Sequence, residues 1–146
     1  CPASNYQKYL SSSNDFIYNH IVTKHNETAI RRMKQIKINS NYKSLEEEIK
    51  SVHSGSYGRL DPNGLAPTIT TRFDTPSGGK FIHPYCDRTL TPREAARIQS
   101  FPDDFTFYGT KTSIHKQIGN AVPPKMAFFL GVMIRRILCK EHSKID

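Results

Sequence analysis

Residues 88–105 read RTLTPREAARIQSFPDDF, and residues 116–124 read KQIGNAVPP. Thr91-Pro92-Arg93-Glu94 stacks two helix-start devices. The Thr91 hydroxyl can cap the first turn while Glu94 returns to the Thr91 amide, and Pro92 occupies the first helical position, where no donor is needed. The pattern predicts a helix over residues 91–101, with Ala95, Ala96 and Ile98 on its apolar face, Arg93 and Arg97 on one side, and Pro102 as its stop. Beyond an aromatic loop at residues 105–108, the Gly119-Asn120 turn and Pro123-Pro124 lead into a last helix. On that helix Met126, Phe129, Leu130, Met133 and Ile137 form one stripe. Phe128, Val132, Ile134 and Leu138 lie off the stripe, so the helix is apolar nearly all round until Arg135 and Arg136. A helix of that kind is normally buried on several sides. In so polar a chain, one side is expected to face another domain or subunit; a central core helix is the alternative.

Toward the N-terminus, Asp61-Pro62-Asn63-Gly64 predicts a turn with proline second and glycine fourth. Residues 66–71 are β-branched and threonine-rich and read as a strand, and a second turn at Pro76-Ser77-Gly78-Gly79 leads to a strand at residues 80–83. Such a hairpin places Thr68, Thr70, Thr71, Arg72, Ser77, Gly78 and Gly79 on one exposed surface. Hydroxyls, a guanidinium and bare amides are groups that contact sugar-phosphate oxygens, although an ordinary solvent-facing hairpin has the same composition. Ser44 and Glu47 have capping-box spacing and predict a short acidic helix ending near Ser51. Earlier still, Ala29, Ile30, Met33 and Ile36 recur at helical spacing behind Asn26, a good cap. Lys24, Arg31, Arg32, Lys34, Lys37 and Lys43 surround them against Glu27 alone, a basic helix suited to phosphates or simply a solvated face. Residues 1–19 read as loop or short irregular strand. Together these elements predict an α+β fold: a small mixed domain with irregular β hairpins and short helices, ending in a long apolar helix.

The 146 residues suffice for about one domain, and the formal charge of +8, from 21 Lys and Arg against 13 Asp and Glu, favours a polyanionic partner. Cys1, Cys86 and Cys139 form no C-x-x-C pair, which points away from a disulfide framework or a metal site and toward a reducing intracellular setting. The longest apolar run, residues 126–134, is far shorter than the roughly 20 residues of a bilayer span. No leader is visible, and a cytoplasmic location is expected. Because residue 1 is cysteine rather than methionine, the chain is expected to be a fragment, a processed product or one piece of something larger.

Read together, these stretches resemble the C-terminal part of DNA (cytosine-5) methyltransferases, most closely the bacterial or phage restriction-modification kind. Residues 88–105 resemble the family's ninth motif and QIGNAVPP, residues 117–124, its tenth. GLAPTITT at residues 64–71, with the following Gly78-Gly79, resembles the end of the target recognition region. NHIVTKHNETAIRRMKQI, residues 19–36, is similar to a segment of one subgroup's recognition region. The resemblance covers residues 19–138.

It implies a division of labour. In the family a large Rossmann-like domain binds S-adenosylmethionine and carries a cysteine that attacks C6 of a flipped-out cytosine so that C5 accepts the methyl group. A smaller domain reads duplex DNA. The Pro-Cys-Gln loop, the Glu-Asn-Val segment and the glycine-containing cofactor turn do not occur in this chain. Residues 1–110 are then the recognition domain, including the helix at residues 91–101. Residues 111–146 belong with a catalytic domain or subunit elsewhere, which binds most of the cofactor and against which the last helix packs. The cofactor-side role falls on Asn120, Ala121 and Val122, where Ala121 lacks the serine hydroxyl of many relatives. The DNA-side role falls on Thr68, Ile69, Gly78 and Gly79, joined on chemical grounds by Arg72 and by Arg31, Arg32 and Lys34 of the basic helix. Arg88, Arg93, Glu94 and Arg97 become scaffold, and Arg59, Arg72 and Lys80 are candidates for base reading. No residue of the chain is assigned to catalysis. The alternative is a non-catalytic DNA-binding or regulatory module, a degenerate remnant of such an enzyme.

Overall fold

The structure is a computed structural model that describes residues 4–11, 16–49 and 53–142. Among the described residues, five α-helices are joined by long irregular connections: α1 (Asn5–Leu10), α2 (Glu27–Gln35), α3 (Pro92–Ile98), α4 (Lys111–Gly119) and α5 (Pro124–His142). Short 3-10 turns occupy Tyr42–Ser44 and Pro76–Gly78.

The two helix starts written most clearly in the sequence form as written. Thr91 Oγ1 accepts from the Glu94 amide at 3.2 Å, and the Glu94 carboxylate accepts from the Thr91 amide at 2.9 Å, which closes the capping box of α3. Asn26 Oδ1 accepts from the Ala29 amide at 2.8 Å and caps α2, whose inner face buries Met33 and leads into buried Ile36. Helix α1, begun by a Ser4–Gln7 capping box, stands where loop or short irregular strand is expected, and helix α4 was likewise not anticipated. Thr110 caps it, and Ile114 and Ile118 supply its inner face at a spacing of four.

The α+β expectation is overturned. Among the described residues there is no β-strand, only single bridges from Ile82 to Arg59 and from Ile82 to Thr89. Residues 66–71 do not form a hairpin with residues 80–83, despite their β-branched composition. Strand propensity needs a partner edge, and the Thr70–Thr71 backbone is occupied by Gly119 at the end of α4, so close that a Cβ there would sit 2.5 Å from the Thr71 nitrogen. Around Ile82 the pairing begins and stops within a few residues. The Leu60 amide donates to Ile82 O and the Leu90 amide to Phe81 O, both at 3.0 Å. Pro62 and Pro84 bring no donor to extend either ladder. The acidic helix expected after Ser44 is also absent. Asn41 rather than Ser44 caps a single 3-10 turn, and Glu47 reaches back to the arginines of α2; the expected end of that helix lies outside the described residues.

Among the described residues, two apolar clusters hold the body. The larger gathers Leu60, Ile69, Phe73, Phe81, Leu90, Phe101, Phe107 and Ile118 around the two alanines of α3. The smaller joins Met33 and Ile36 of α2 to Tyr57 and Ile82. Helix α5 contributes to neither. Met126, Phe128, Phe129, Leu130, Met133, Ile134, Ile137 and Leu138 are each between 46% and 68% exposed, so the helix stands off the body with apolar side chains on every side.

Candidate functional site

Helix α3 is the fixed point, held by arginines used as backbone clamps. Arg93 is fully buried. Its Nε donates to Tyr18 O at 2.9 Å, Nη1 to Pro102 O at 2.9 Å and Nη2 to Phe105 O at 2.6 Å. Burial lowers its pKa, yet a guanidinium with three carbonyl acceptors stays charged at any ordinary pH. Arg97 grips Asp103 through two bonds of 2.8 and 2.7 Å, and Arg88 grips Glu94 through two of 2.7 and 2.8 Å. Burial opposes the Glu94 charge, but the Arg88 and Thr91 hydrogen bonds outweigh it and hold the carboxyl below its ordinary pKa. Thus Arg88, Arg93, Glu94 and Arg97 all lie inside the frame of the molecule.

The strap before α2 is fastened to the same helix start. Asn19, at a φ of +61°, exchanges two 3.0 Å hydrogen bonds with the Phe107 backbone, and its carbonyl accepts from the Arg93 amide. His20 Nδ1 lies 3.0 Å from Thr91 Oγ1 and His25 Nε2 lies 3.0 Å from Thr89 Oγ1. Sequence reasoning had no signal for these long-range pairs.

Arg59, a candidate for base reading, is instead spent inside the protein. It is 5% exposed and donates to the carbonyls of Met33, Ile36, His83 and Cys86 and to the Asp87 carboxylate. Lys80 Nζ donates to Asn39 Oδ1 at 2.6 Å. Arg72 is exposed, as is Thr68, while Ile69 points into the core at 4% exposure. Gly78 and Gly79 are packed rather than open. A Cβ at Gly78 would meet Arg72 O at 2.7 Å, and one at Gly79 would meet the Phe81 ring at 2.5 Å. On α2, Arg32 is bound to Glu47 and to the Tyr57 hydroxyl, and Arg31 lies 3.5 Å from Glu47. Lys34 is exposed without such a partner among the described residues.

Beside Arg72 a cavity of about 350 Å3 is lined by Thr71, Asp74, Thr75, Lys111, His115 and Lys116. Asp74 accepts from Lys111 at 2.9 Å and lies 3.5 Å from His115 Nδ1, whose ring packs on Phe73. Burial lowers the His115 pKa, with Asp74 opposing it. The lysines of α4 thereby join Thr71 and Arg72 on one basic margin; only the Thr110 cap and the Ile114/Ile118 spacing hinted at them.

Asn120, Ala121 and Val122 form the turn between α4 and α5. Asn120 is exposed and Val122 is 59% exposed, whereas Ala121 packs against the larger cluster. The Asn120 carboxamide has no partner among the described residues, so the turn presents one free polar group and one apolar group outward. That pair suits a ligand with both polar and apolar parts. Cys86 is exposed and unbridged, and among the described residues no group of three or more His, Cys, Asp or Glu is placed to hold a metal. No helix of the described residues is long and apolar enough to cross a membrane.

The profile of a family described as C-5 cytosine-specific DNA methylase matches residues 3–136. Over 91% of its length the chain is 32% identical to the type II methyltransferase M.DdeI of Desulfomicrobium norvegicum, and it covers 36% of that protein. It is 34% identical over 97% of its length to DNA (cytosine-5)-methyltransferase 4 of Arabidopsis thaliana, covering 11% of that protein. The chain therefore spans about a third or less of these relatives. Among solved structures, a crystal structure described as a DNA modification methyltransferase encoded within an E. coli prophage superposes with a TM-score of 0.52 at 36% identity. The match covers 73% of this chain and 25% of that one.

Proposed function

This chain belongs to the C-5 cytosine-specific DNA methylase family, and from that membership we propose that it is the target-recognition part, with the ninth and tenth motifs, of a DNA (cytosine-5) methyltransferase. Residues 1–110 form the DNA-reading portion, and residues 111–146 belong with a catalytic unit that carries the cysteine nucleophile. S-adenosylmethionine supplies the methyl group in this family. Here Asn120 and Val122 hold one edge of it, with Ala121 serving by its backbone alone.

The observation that carries this reading is α5. Burying a large apolar side chain is worth about 1.5–3 kcal/mol, and eight such side chains on one helix remain largely exposed. A large complementary apolar surface is the partner such a helix suits, and relatives about three times as long or longer accord with it. Toward DNA, the chain offers Thr68 and Arg72 with Lys111 and Lys116 on one margin and Arg31 and Lys34 on α2, phosphate-binding groups by chemistry. Gly78, Gly79 and Ile69 shape that margin from beneath, and Arg32 is held back by Glu47.

The deciding experiment mixes this chain with a catalytic unit of the family and measures transfer of labelled methyl groups to duplex DNA. The chain alone is expected to transfer none and the mixture to transfer. Transfer by the chain alone, or a mixture as inert as its parts, refutes the reading.

A further inference from the structure

We propose that Gln99 and Ser100, at the C-terminal end of α3, are positioning residues that set the cofactor-side turn. The inference rests on the reading of Asn120 and Val122 as cofactor contacts and adds the residues through which the body of the molecule controls them.

The turn is gripped at both ends by adjacent residues of a different element. Gln99 Nε2 donates to Ile118 O at 2.8 Å, on the α4 side. Ser100 Oγ accepts from the Lys125 amide at 3.1 Å, on the α5 side. The second bond answers a specific deficit. The opening amides of a helix lack partners within it and are met by a side-chain acceptor just before the helix. For α5 that place is taken by Pro123, whose carbonyl accepts from Ala127 but whose side chain has no acceptor. Ser100 supplies the missing cap from 25 residues away.

Ser100 keeps this role at a conformational cost. Its φ is +66°, a left-handed position that glycine adopts freely and serine does not. It is 5% exposed, so the hydroxyl is not there for solvent. A glycine would satisfy the backbone, but only a side chain with an acceptor satisfies the Lys125 amide. Behind the grip stand the Arg93 and Arg97 clamps on α3, so a displacement of the turn must stretch bonds anchored in a helix that is itself held.

Ser100→Gly separates positioning from stability, because it relieves the φ while deleting the grip; Gln99→Glu deletes the other donor without changing shape. In this chain assembled with the catalytic unit, both are expected to raise KM for S-adenosylmethionine roughly fivefold to tenfold, the equivalent of one hydrogen bond. Neither kcat nor KM for DNA is expected to move with it. In the chain alone, amide hydrogen exchange at Asn120 and Ala121, whose amides are bonded within the turn, should quicken while the Tm of Ser100→Gly stays level or rises. Ser100→Asn, which tolerates the left-handed position and restores an acceptor, should recover the cofactor KM. If Asn120→Ala raises that KM but the Gln99 and Ser100 variants do not, the grip has no positioning role and the proposal falls alone. If Asn120→Ala leaves it unchanged, the turn does not meet the cofactor and the proposal falls together with that reading.

Discussion

Gly119 rests on the backbone of Thr71 so closely that a Cβ would lie 2.5 Å from the Thr71 nitrogen and 2.6 Å from the Thr70 carbonyl carbon. This single contact joins the turn assigned to the cofactor with the segment assigned to DNA. Gly119→Ala must push α4 away from main-chain atoms that cannot rotate aside, and overpacking of this sort costs about 1–3 kcal/mol. Gly131, in the exposed α5, has nothing within 4 Å of its Cβ position, so Gly131→Ala should be neutral or stabilise by up to about 1 kcal/mol through helix propensity. Urea denaturation of both variants checks the contrast; equal midpoints would contradict the packing assigned to Gly119.

Replacing Arg93 should be far more damaging than its surface-like chemistry suggests. Three carbonyls, those of Tyr18, Pro102 and Phe105, lose their donor at once in a buried position. At about 1–3 kcal/mol for each unsatisfied group, Arg93→Met threatens most of the 5–15 kcal/mol typical of a domain. Arg93→Lys keeps the charge but not the planar fork and should rescue little. Circular dichroism melting of Arg93→Lys within a few degrees of the parent would show that charge, not geometry, matters at this site.

Acid should weaken the fold in part through Glu94. Its folded pKa lies below the ordinary value near 4.5, so its contribution is present in full above that value and is lost as pH falls through the lower folded one. His25, His83 and His115 act earlier. Burial lowers their folded pKa values below 6.5, so their neutral forms stabilise the fold above that value and the benefit declines as pH falls beneath it. Tm is therefore expected to fall in two stages from about pH 6.5 downward. Glu94→Gln should flatten the more acidic stage and, because Glu94 supports the His83 charge from 3.8 Å, slightly deepen the earlier one; a Tm profile with an unchanged acidic limb would exclude this assignment.

The basic residues should divide by what they already hold. Lys34, Arg72 and Lys116 are exposed, and their replacement by Gln should weaken DNA binding while leaving stability within about 0.5 kcal/mol. If each meets one phosphate, the slope of log affinity against log salt should drop by roughly 0.9 per variant. Arg59→Gln should do the reverse, destabilising the chain through its lost carbonyl and Asp87 bonds. Filter binding across a salt series separates the groups; no change in slope for Lys34, Arg72 and Lys116 together would remove these residues from the DNA surface.

The starts of α2 and α3, the turn at Asp61 and the polarity were legible in the chain because they depend on residues within four positions of one another, although the equally local caps at Ser4 and Thr110 were passed over and Ser44 began no helix. Thr91 and Glu94, or Asn26 and Ala29, make their bonds across a single turn, and Asp61 meets the Gly64 amide in the same way. The stretches on which the family resemblance was read are equally local strings. The apolar periphery of α5 could also be counted directly, as could the positive charge.

Contacts between distant positions decided the rest. Whether residues 66–71 became a strand depended on what lay beside their backbone, and α4 took that place through Gly119. Arg59, Arg72 and Lys80 look alike as letters; the structure alone shows Arg59 spent on four carbonyls and Arg72 open to solvent. The cap on α5 comes from Ser100, 25 residues upstream. Local hydrogen bonding sets where α2 and α3 begin. Which charges remain free and which edges remain open is settled only when the chain closes on itself, because a buried polar group must find its partner wherever the fold brings one.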